Sequence, residues 1–194
     1  MVFKDILAEG KAFRRQVFTL YEEAFPEEEK KPWERMELLA VEGKMELLAV
    51  TEGECFVGLA FNMLDGEIAL LDYFAIAPDL RGGGFGGRAI GCLLERFAGK
   101  KYIFEIEKQD PRAENAEERK RRKKFYLRNG LQETGLFVNA YQTDFELLTP
   151  DGSLTFEEYV TVLRDILGEE WMNTLNPRVI PAEKEKKDET TGSN

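Results

Sequence analysis

The spacing of apolar and polar positions divides the chain into helical and extended segments. Apolar residues three and four positions apart predict an amphipathic helix over Lys11–Phe25, and Pro32 begins a second helix that ends near Val41. The hexapeptide MELLAV occurs twice, first at the end of that second helix and again at Met45–Val50. Because the second copy lies between two glycine-containing turns, we expect the same six residues to form a strand there.

The next apolar runs predict a central sheet with helices between its strands. Glu54–Met63 and Glu67–Ile76 flank an Asp-Gly pair that is typical of a hairpin turn, and the second run is apolar enough to be covered on both faces. A helix over about Gly87–Ala98 and a strand over Tyr102–Glu107 follow. A charged helix over Glu114–Arg128 then ends at an Asn-Gly pair.

The last third of the chain predicts a closing hairpin, one more helix and a polar end. Leu131–Val138 and Tyr141–Leu148 are the expected hairpin strands, and a helix is expected at about 155–168. Because strands and helices alternate around one mixed sheet, we predict a single α/β (α+β) domain over residues 1–180. Residues 181–194 are charged and polar, so we predict that they form a disordered tail.

Histidine is absent from the chain, and its absence excludes several kinds of enzyme. A Ser-His-Asp triad, a histidine general base and a histidine-containing zinc site are impossible. The two cysteines, Cys55 and Cys92, lie in apolar runs and are too few for a cysteine-only metal site or a disulfide framework. We therefore predict no metal site, and catalysis would depend on carboxylates, tyrosine, lysine or hydroxyl groups.

The charge balance and the lengths of the apolar runs bear on partners and location. Acidic residues outnumber basic ones 37 to 27, for a net charge of −10, which argues against nucleic-acid binding. No run approaches the about 20 apolar residues of a membrane helix, and the first residues carry no secretory signal. These features predict a cytoplasmic protein with no membrane or nucleic-acid partner.

A glycine-rich loop, Arg81–Arg88, stands between a predicted strand and a predicted helix. Residues without a Cβ let backbone N–H groups approach an oxyanion, and the start of the helix adds the positive end of a dipole. Gly82, Gly84 and Gly87 match the dinucleotide pattern G-x-G-x-x-G, so a nicotinamide- or flavin-binding oxidoreductase is one alternative. Against it, five residues separate the strand from the first glycine, and the unit occurs only once.

The same loop also fits the pattern R/Q-x-x-G-x-G/A through Arg81, Gly84 and Gly86. With Leu71–Leu94 around it and FYLRNGL at Phe125–Leu131, the sequence resembles the GNAT superfamily of N-acetyltransferases. The resemblance implies a mixed, mostly antiparallel sheet flanked by helices, with acetyl-CoA as co-substrate. It also implies direct acetyl transfer to a primary amine of a small molecule or peptide, in a ternary complex, by a monomer or homodimer. A non-catalytic acyl-CoA-binding sensor is a further alternative.

The resemblance also implies which residues hold the coenzyme. Backbone groups of three strand residues would pair with the pantetheine arm, and N–H groups of the loop would hold the pyrophosphate. The strand residues are Phe74, Ala75 and Ile76, and the loop residues are Arg81, Gly82, Gly83, Gly84, Phe85, Gly86 and Gly87. Many relatives have an asparagine seven residues before the tyrosine of the second motif, but Arg119 stands there, so that contact is not assigned.

Two residues are predicted to carry the acid and base chemistry. Tyr126 matches the family tyrosine near the thioester, and its phenol is expected to protonate the departing thiolate. Glu105 is the predicted general base, acting directly or through water, and it shares a strand face with Glu107 because strand side chains alternate. Two exposed or salt-bridged strand acids are the alternative interpretation of this pair. Asp72 also lies in an apolar strand, where a buried structural acceptor is the alternative interpretation.

Three further features have simpler interpretations. Glutamates precede the basic run Arg119–Lys124 at helical distances, so we expect a solvated helix face. The segment Asp151–Glu158 resembles half of a calcium loop without its first acidic ligands, and we expect a turn and a helix N-cap instead. The acceptor groove implied by the resemblance would involve Trp33, Phe137 and Tyr141, and the acidic balance favours a cationic amine there.

Overall fold

The computed structural model of the protein describes residues 1–140 and 142–182, apart from the side chain of Glu28. Tyr141 and residues 183–194 of the predicted tail lie outside the described residues. In the described part of the chain, no helix is both long enough and apolar enough to cross a membrane.

Strands and helices follow one another in the order that the hydrophobic pattern indicates. The strands are β1 (Val2–Asp5), β2 (Met45–Glu52), β3 (Cys55–Asp65), β4 (Ile68–Ile76), β5 (Lys101–Glu107), β6 (Gln132–Ala140), β7 (Thr143–Thr149) and β8 (Arg178–Val179). The helices are α1 (Arg14–Ala24), α2 (Trp33–Val41), α3 (Phe85–Arg96), α4 (Ala116–Arg128), α5 (Phe156–Leu167) and α6 (Glu169–Leu175). The two copies of MELLAV adopt the predicted structures, a helix end in α2 and a strand in β2.

Within the described residues the strands form one mixed sheet, in the order β1-β2-β3-β4-β5-β7-β6-β8. Only β4 and β5 are parallel in it, and every other neighbouring pair is antiparallel. The predicted α/β (α+β) class with a mostly antiparallel sheet is confirmed. The doubly wound parallel sheet that a dinucleotide-binding oxidoreductase requires is not the fold of this chain.

Helices cover both faces of the sheet. The apolar side chains of α1, α2, α5 and α6 pack with Leu70, Tyr73 and Ile103 in one core cluster. Those of α3 and α4 pack with Tyr102 and Phe104 in the other. We call the two sides the α1 face and the α3 face.

A cleft opens between β4 and β5 in the middle of the sheet. The two strands pair only from Ile68 and Lys101 to Leu71 and Phe104. Beyond these residues β4 continues along β3, while β5 continues along β7. The first residue of each strand beyond the pairing carries a carboxylate, so two acids stand where the cleft begins.

At the start of the cleft, β4 has one residue more than its partner β3. Phe61 pairs with Tyr73 and Asn62 pairs with Leu71, so Asp72 has no partner on β3. Such a β-bulge redirects a side chain. Asp72 and Tyr73 consequently both reach the α1 face, where both bond the segment between α1 and α2.

Candidate active site

Glycine shapes the loop after β4 for two different reasons. Gly82 and Gly84 have φ of +81° and +77°, a left-handed conformation that L side chains rarely adopt. A Cβ on Gly86 would lie 3.3 Å from the ring of Phe125, and one on Gly87 would lie 2.8 Å from the side-chain oxygen of the residue that caps α4. The first two glycines therefore form the turn, and the other two let α3 pack closely against α4.

Several backbone N–H groups of this loop have no acceptor among the described residues. The N–H groups of Arg81 and Gly83 donate to the carbonyls of Pro78 and Leu80, at 3.2 and 3.4 Å. The unpaired N–H groups belong to Gly82, Gly84, Phe85, Gly86 and Gly87. Most of them lie in the first turn of α3, where the helix dipole is positive, so they suit a phosphate. The N–H groups of Arg81 and Gly83, which are also predicted to hold the pyrophosphate, already donate to carbonyls within the loop.

The edge of β4 that faces the cleft offers free backbone groups at alternate residues. The N–H of Ala77 donates to a carbonyl of β3 at 2.9 Å, and antiparallel bonding alternates, so Ala75 also turns its backbone groups to β3. Phe74 and Ile76 turn theirs to the cleft, where the Ile76 carbonyl accepts a bond from Arg81 Nε at 3.1 Å. Contacts of the pantetheine arm with Phe74, Ala75 and Ile76 stay a prediction, for which Phe74 and Ile76 have backbone groups free and Ala75 has its backbone groups turned to β3.

Asp72, at the start of the cleft, has one paired and one unpaired oxygen. Its Oδ1 accepts a bond from Lys31 Nζ at 2.8 Å, and both side chains are only 8% exposed. Its Oδ2 is buried and has no hydrogen-bond partner in the described structure. Burial raises the pKa of this carboxyl, although the charge of Lys31 opposes the shift. A purely structural acceptor accounts for only one of the two oxygens.

Glu105, the predicted general base, lies across the start of the cleft on β5. The hydroxyl of Tyr159, on α5, donates to its Oε1 at 2.5 Å. Burial raises the pKa of Glu105, and the charge of Asp72 adds to that increase, while the Tyr159 hydrogen bond and the charge of Lys31 oppose it. A carboxylate with a raised pKa is a stronger base, so the geometry suits proton removal.

Glu107 has a different environment, although it lies only two residues further along β5. Its carboxylate accepts bonds from Arg119 at 2.9 Å and Arg122 at 2.8 Å, both on α4. Asn115 donates to the same carboxylate at 3.2 Å. Glu107 therefore anchors α4 to β5, and Glu105 stands alone of the two as a candidate base.

A small cavity joins the polar groups at the start of the cleft, on the α1 face. Its volume is about 40 Å³, enough for about three water-sized atoms. Its polar lining consists of Lys31, Asp72, Glu105 and Tyr159. Its apolar lining consists of Met63, Ala140, Phe145, Leu163, Leu167 and Leu175.

Tyr126, the predicted acid, lies on the other face of the sheet. Its ring packs against Phe104 and Phe125, with centroids 5.5 and 5.2 Å apart. Burial raises the pKa of its phenol to about 12, although the charge of Arg122 opposes the increase, so the hydroxyl keeps its proton at neutral pH. The structure thus places the predicted acid and the predicted base on opposite faces of the sheet, one on each side of the cleft, rather than in contact.

The basic run on α4 forms more ion pairs than a solvated face would. Arg122 makes the expected pair with Glu118 one turn earlier, at 2.9 Å. Lys123 reaches the buried Glu146 on β7 at 2.7 Å and also pairs with Glu133. The run therefore holds α4 on the sheet in addition to facing solvent.

The segment before α5 is the turn and N-cap that the sequence predicts. Thr155 and Glu158 bond each other in a reciprocal capping box. Within residues 1–140 and 142–182 no cluster of three or more potential metal ligands occurs.

Two of the predicted acceptor residues, Trp33 and Phe137, have different neighbours. Trp33 packs against Phe18 and Tyr21 on the α1 face, and Phe137 lies on β6 beneath Lys108. An open groove of about 270 Å³ lies between α1 and the end of β4. Its lining residues are Arg15, Gln16, Thr19, Leu20, Glu23, Phe56, Ala77 and Pro78.

Two residues of the candidate site were not identified from the sequence. Lys31 precedes Pro32 in a polar segment without periodicity, and Tyr159 occupies an apolar position of α5, where a core role is the ordinary interpretation. Both reach the site across long chain separations, 41 residues to Asp72 and 54 residues to Glu105. Only the tertiary fold reveals such contacts.

Comparisons with known proteins agree with the observed fold. A putative GNAT-family acetyltransferase from Bacteroides thetaiotaomicron is 23% identical, with a TM-score of 0.70 over 86% of this chain and 98% of that chain. An aminoglycoside 6'-N-acetyltransferase complexed with coenzyme A is 15% identical, with a TM-score of 0.58 over 77% of this chain and 96% of that one. A variant of spermidine N-acetyltransferase from Vibrio cholerae is 16% identical, with a TM-score of 0.58 over 77% and 94%.

The sequence comparisons bear on the family. No curated protein sequence matches the chain. The family model described as acetyltransferase (GNAT) family matches residues 14–130. This match covers more than half of the chain and contains the glycine loop, the cleft strands and the whole of α4. The protein therefore belongs to the GNAT family of acetyltransferases.

Proposed function

We propose that the protein is an acetyl-CoA-dependent N-acetyltransferase that transfers an acetyl group directly to a primary amine in a ternary complex. One observation carries the proposal. The free N–H groups at the start of α3 lie next to the end of β4, and the unpaired edge of β4 leads back from there to the two carboxylates at the start of the cleft. Family membership supports acetyl-CoA as the co-substrate. Two acetyltransferases of similar fold are named for an aminoglycoside and for spermidine, and the charge of −10 also favours a cationic acceptor.

The residues present fit the coenzyme along its length. The unpaired N–H groups of Gly82 and of the first turn of α3 would hold the pyrophosphate. The free backbone groups of Phe74 and Ile76 would hold the amide-bearing arm as an added strand does. The four-residue step from Ile76 back to Asp72 spans roughly 13 Å, which brings the acyl end to the start of the cleft. Acetyl-CoA, when bound, supplies the thioester carbonyl that the amine attacks.

The two carboxylates bind and deprotonate the acceptor amine. Glu105 removes a proton from the acceptor ammonium, directly or through a water molecule in the cavity, so that the nitrogen gains its lone pair. Its raised pKa favours this transfer. Asp72, held by Lys31, keeps a second negative charge beside the acceptor.

Tyr126 provides the proton that the departing sulfur needs. Its phenol lies on the α3 face beside Phe104, the last residue of β5 that still pairs with β4. Because the phenol keeps its proton at neutral pH, it remains a donor throughout the working range.

Calorimetric titration with acetyl-CoA, CoA and NAD tests the coenzyme, and thiol release over a panel of amines tests the reaction. We expect binding of both CoA species and amine-dependent release of CoA. Tight NAD binding without CoA binding would refute the proposal. Binding of acetyl-CoA without release for any amine would support the sensor alternative instead.

A further inference from the structure

We infer that the cavity at the start of the cleft selects its acceptor by whether the carbon next to the amine nitrogen is branched. It would bind the ammonium end of an unbranched amine, R–CH₂–NH₃⁺, and reject an amine on a branched carbon, such as a peptide α-amine. The inference rests on the proposed function and names the acceptor class for that site.

The unpaired oxygen of Asp72 shows what chemical group the cavity takes. A buried carboxylate oxygen is costly without a hydrogen-bond donor, and Asp72 Oδ2 has none in the described structure. Lys31 already donates to the other oxygen. An ammonium carries three N–H donors and no acceptor, so it satisfies this oxygen and faces Glu105 as well.

The size of the cavity limits how many carbon and oxygen atoms can enter it together with the nitrogen. About 40 Å³ holds about three water-sized atoms, which corresponds to a nitrogen and two carbons. An α-amine brings both a carbonyl carbon and a side-chain carbon on its first carbon, with the carbonyl oxygen in addition. That group needs more room beside the nitrogen than an unbranched chain does, so branching next to the nitrogen is disfavoured.

The lining also favours methylene groups over polar atoms. Beyond the four polar residues the walls are apolar, with Met63, Phe145 and Leu175 among them. The hydroxyl of Tyr159 already donates to Glu105, and Lys31 donates one bond to Asp72. A methylene group suits such walls and needs no hydrogen-bond partner, whereas a carbonyl oxygen would lose its hydration and could pair only with the remaining N–H groups of Lys31.

Two isomers of the same composition test the inference at about pH 6, where both amines are protonated: Nα-acetyl-lysine amide, whose side-chain amine is free, and Nε-acetyl-lysine amide, whose α-amine is free. We expect kcat/KM to be larger for the side-chain amine by about tenfold or more, since misfit of even one carbon in a closed pocket has an effect of that order. Equal values, or a preference for the α-amine, would overturn the inference.

A pair of variants shows whether this cavity makes the distinction. Leu175→Ala enlarges the cavity, so the ratio between the two isomers should fall. Leu39→Ala removes an equally buried leucine of the α1 face that does not line the cavity, so the ratio should stay at its wild-type value. An unchanged ratio in folded Leu175→Ala protein would place the selectivity elsewhere and contradict the inference.

Calorimetric titration of each isomer into the CoA-bound protein, with a parallel assay of CoA release from acetyl-CoA, separates the inference from the proposed function. Selective binding of the side-chain amine without CoA release supports the pocket and refutes the transferase activity. CoA release at equal rates with both isomers supports the activity and refutes the pocket.

Discussion

Two tyrosines of the α3 face differ in what their hydroxyl groups contact. Tyr102 donates to Asn62 Oδ1 at 2.6 Å deep in the core. The hydroxyl of Tyr126 has no hydrogen-bond partner among the described residues, although its ring packs against Phe104 and Phe125. Burial raises the pKa of both phenols, so both keep their protons. A proton donor without a protein acceptor remains free for a ligand.

Replacing Tyr126 with phenylalanine should lower kcat by about 10²-fold, since general-acid catalysis contributes at least that much. The ring packing is preserved, so we expect the affinity for acetyl-CoA to stay unchanged, as measured by calorimetry. Tyr102→Phe is the matched control: it should lower stability, because Asn62 loses its partner, and leave kcat unchanged. Equal kcat values for wild type and Tyr126→Phe would exclude Tyr126 as the acid.

The backbone conformation of Gly84 leads to a second prediction about a single residue. Gly84→Ala should destabilise the protein by about 1–2 kcal/mol, because its φ is +77°. It should also weaken acetyl-CoA binding by disturbing the first turn of α3. Gly91→Ala is the control within the same helix, where a Cβ meets nothing within 4 Å. It should stabilise by about 0.5–1 kcal/mol and leave binding intact. Urea unfolding and calorimetry measure both effects, and equal losses of affinity would contradict the assignment.

Among the elements, α5 connects the C-terminal part of the chain to the candidate site. Its capping box fixes where the helix begins, and its apolar side packs on the α1 face. Four residues into the helix, Tyr159 points at Glu105. The helix lies beyond residues 14–130, the part of the chain that the family model matches.

Tyr159→Phe should shift the pH dependence of kcat/KM. The donated hydrogen bond lowers the pKa of Glu105, against the increases caused by burial and by Asp72. Its loss raises that pKa, and the base must be deprotonated to act, so the rising acidic limb should move to higher pH while the plateau persists. Lys31, the nearby positive charge, stays in place in this variant.

The control for that shift is Val162→Ala, which weakens the packing of α5 without touching the cavity. It should lower thermal stability and leave the limb at its wild-type pH. If Tyr159→Phe leaves the limb unmoved as well, Glu105 is not the group whose ionisation the profile reports.

The elements that the sequence predicts best are those whose signals are local. The glycine loop, α3 and the strand before it carry their turn and cap residues within a short span, so their place in the fold was correctly predicted. Which backbone groups of Phe74, Ala75 and Ile76 face the cleft could not be predicted, because hydrogen-bond direction depends on register with β3 rather than on composition. Lys31 and Tyr159 reach the site only through tertiary packing, which leaves no pattern along the chain.

For the whole molecule, charge is the property with a functional consequence. The net charge is −10, yet the start of α3 presents free N–H groups. An acidic protein attracts cationic acceptors over distances set by the ionic strength, while the coenzyme is held by local dipoles. The domain boundary at residue 180, the disordered tail, the cytoplasmic location and the monomer or homodimer state stay predictions.

Salt should therefore lower kcat/KM more for an acceptor with a net positive charge than for one without. Raising NaCl from about 20 to about 200 mM shortens the Debye length from roughly 20 to roughly 7 Å. We expect kcat/KM for 1,4-diaminobutane to fall several-fold, whereas 4-aminobutanoate, a zwitterion of the same length, should change little. The same salt dependence for both acceptors would show that long-range attraction has no part in acceptor capture.

The extra residue in β4 has a consequence for how this site relates to its scaffold. Leu71 faces one side of the sheet and Tyr73 the other, so they would alternate as direct neighbours if Asp72 were deleted. Their partners, Asn62 and Phe61, are already consecutive on β3. The ladder is thus complete without Asp72, and the carboxylate is an insertion into a finished strand. The strand pairing on either side of position 72 therefore does not depend on the carboxylate that stands there.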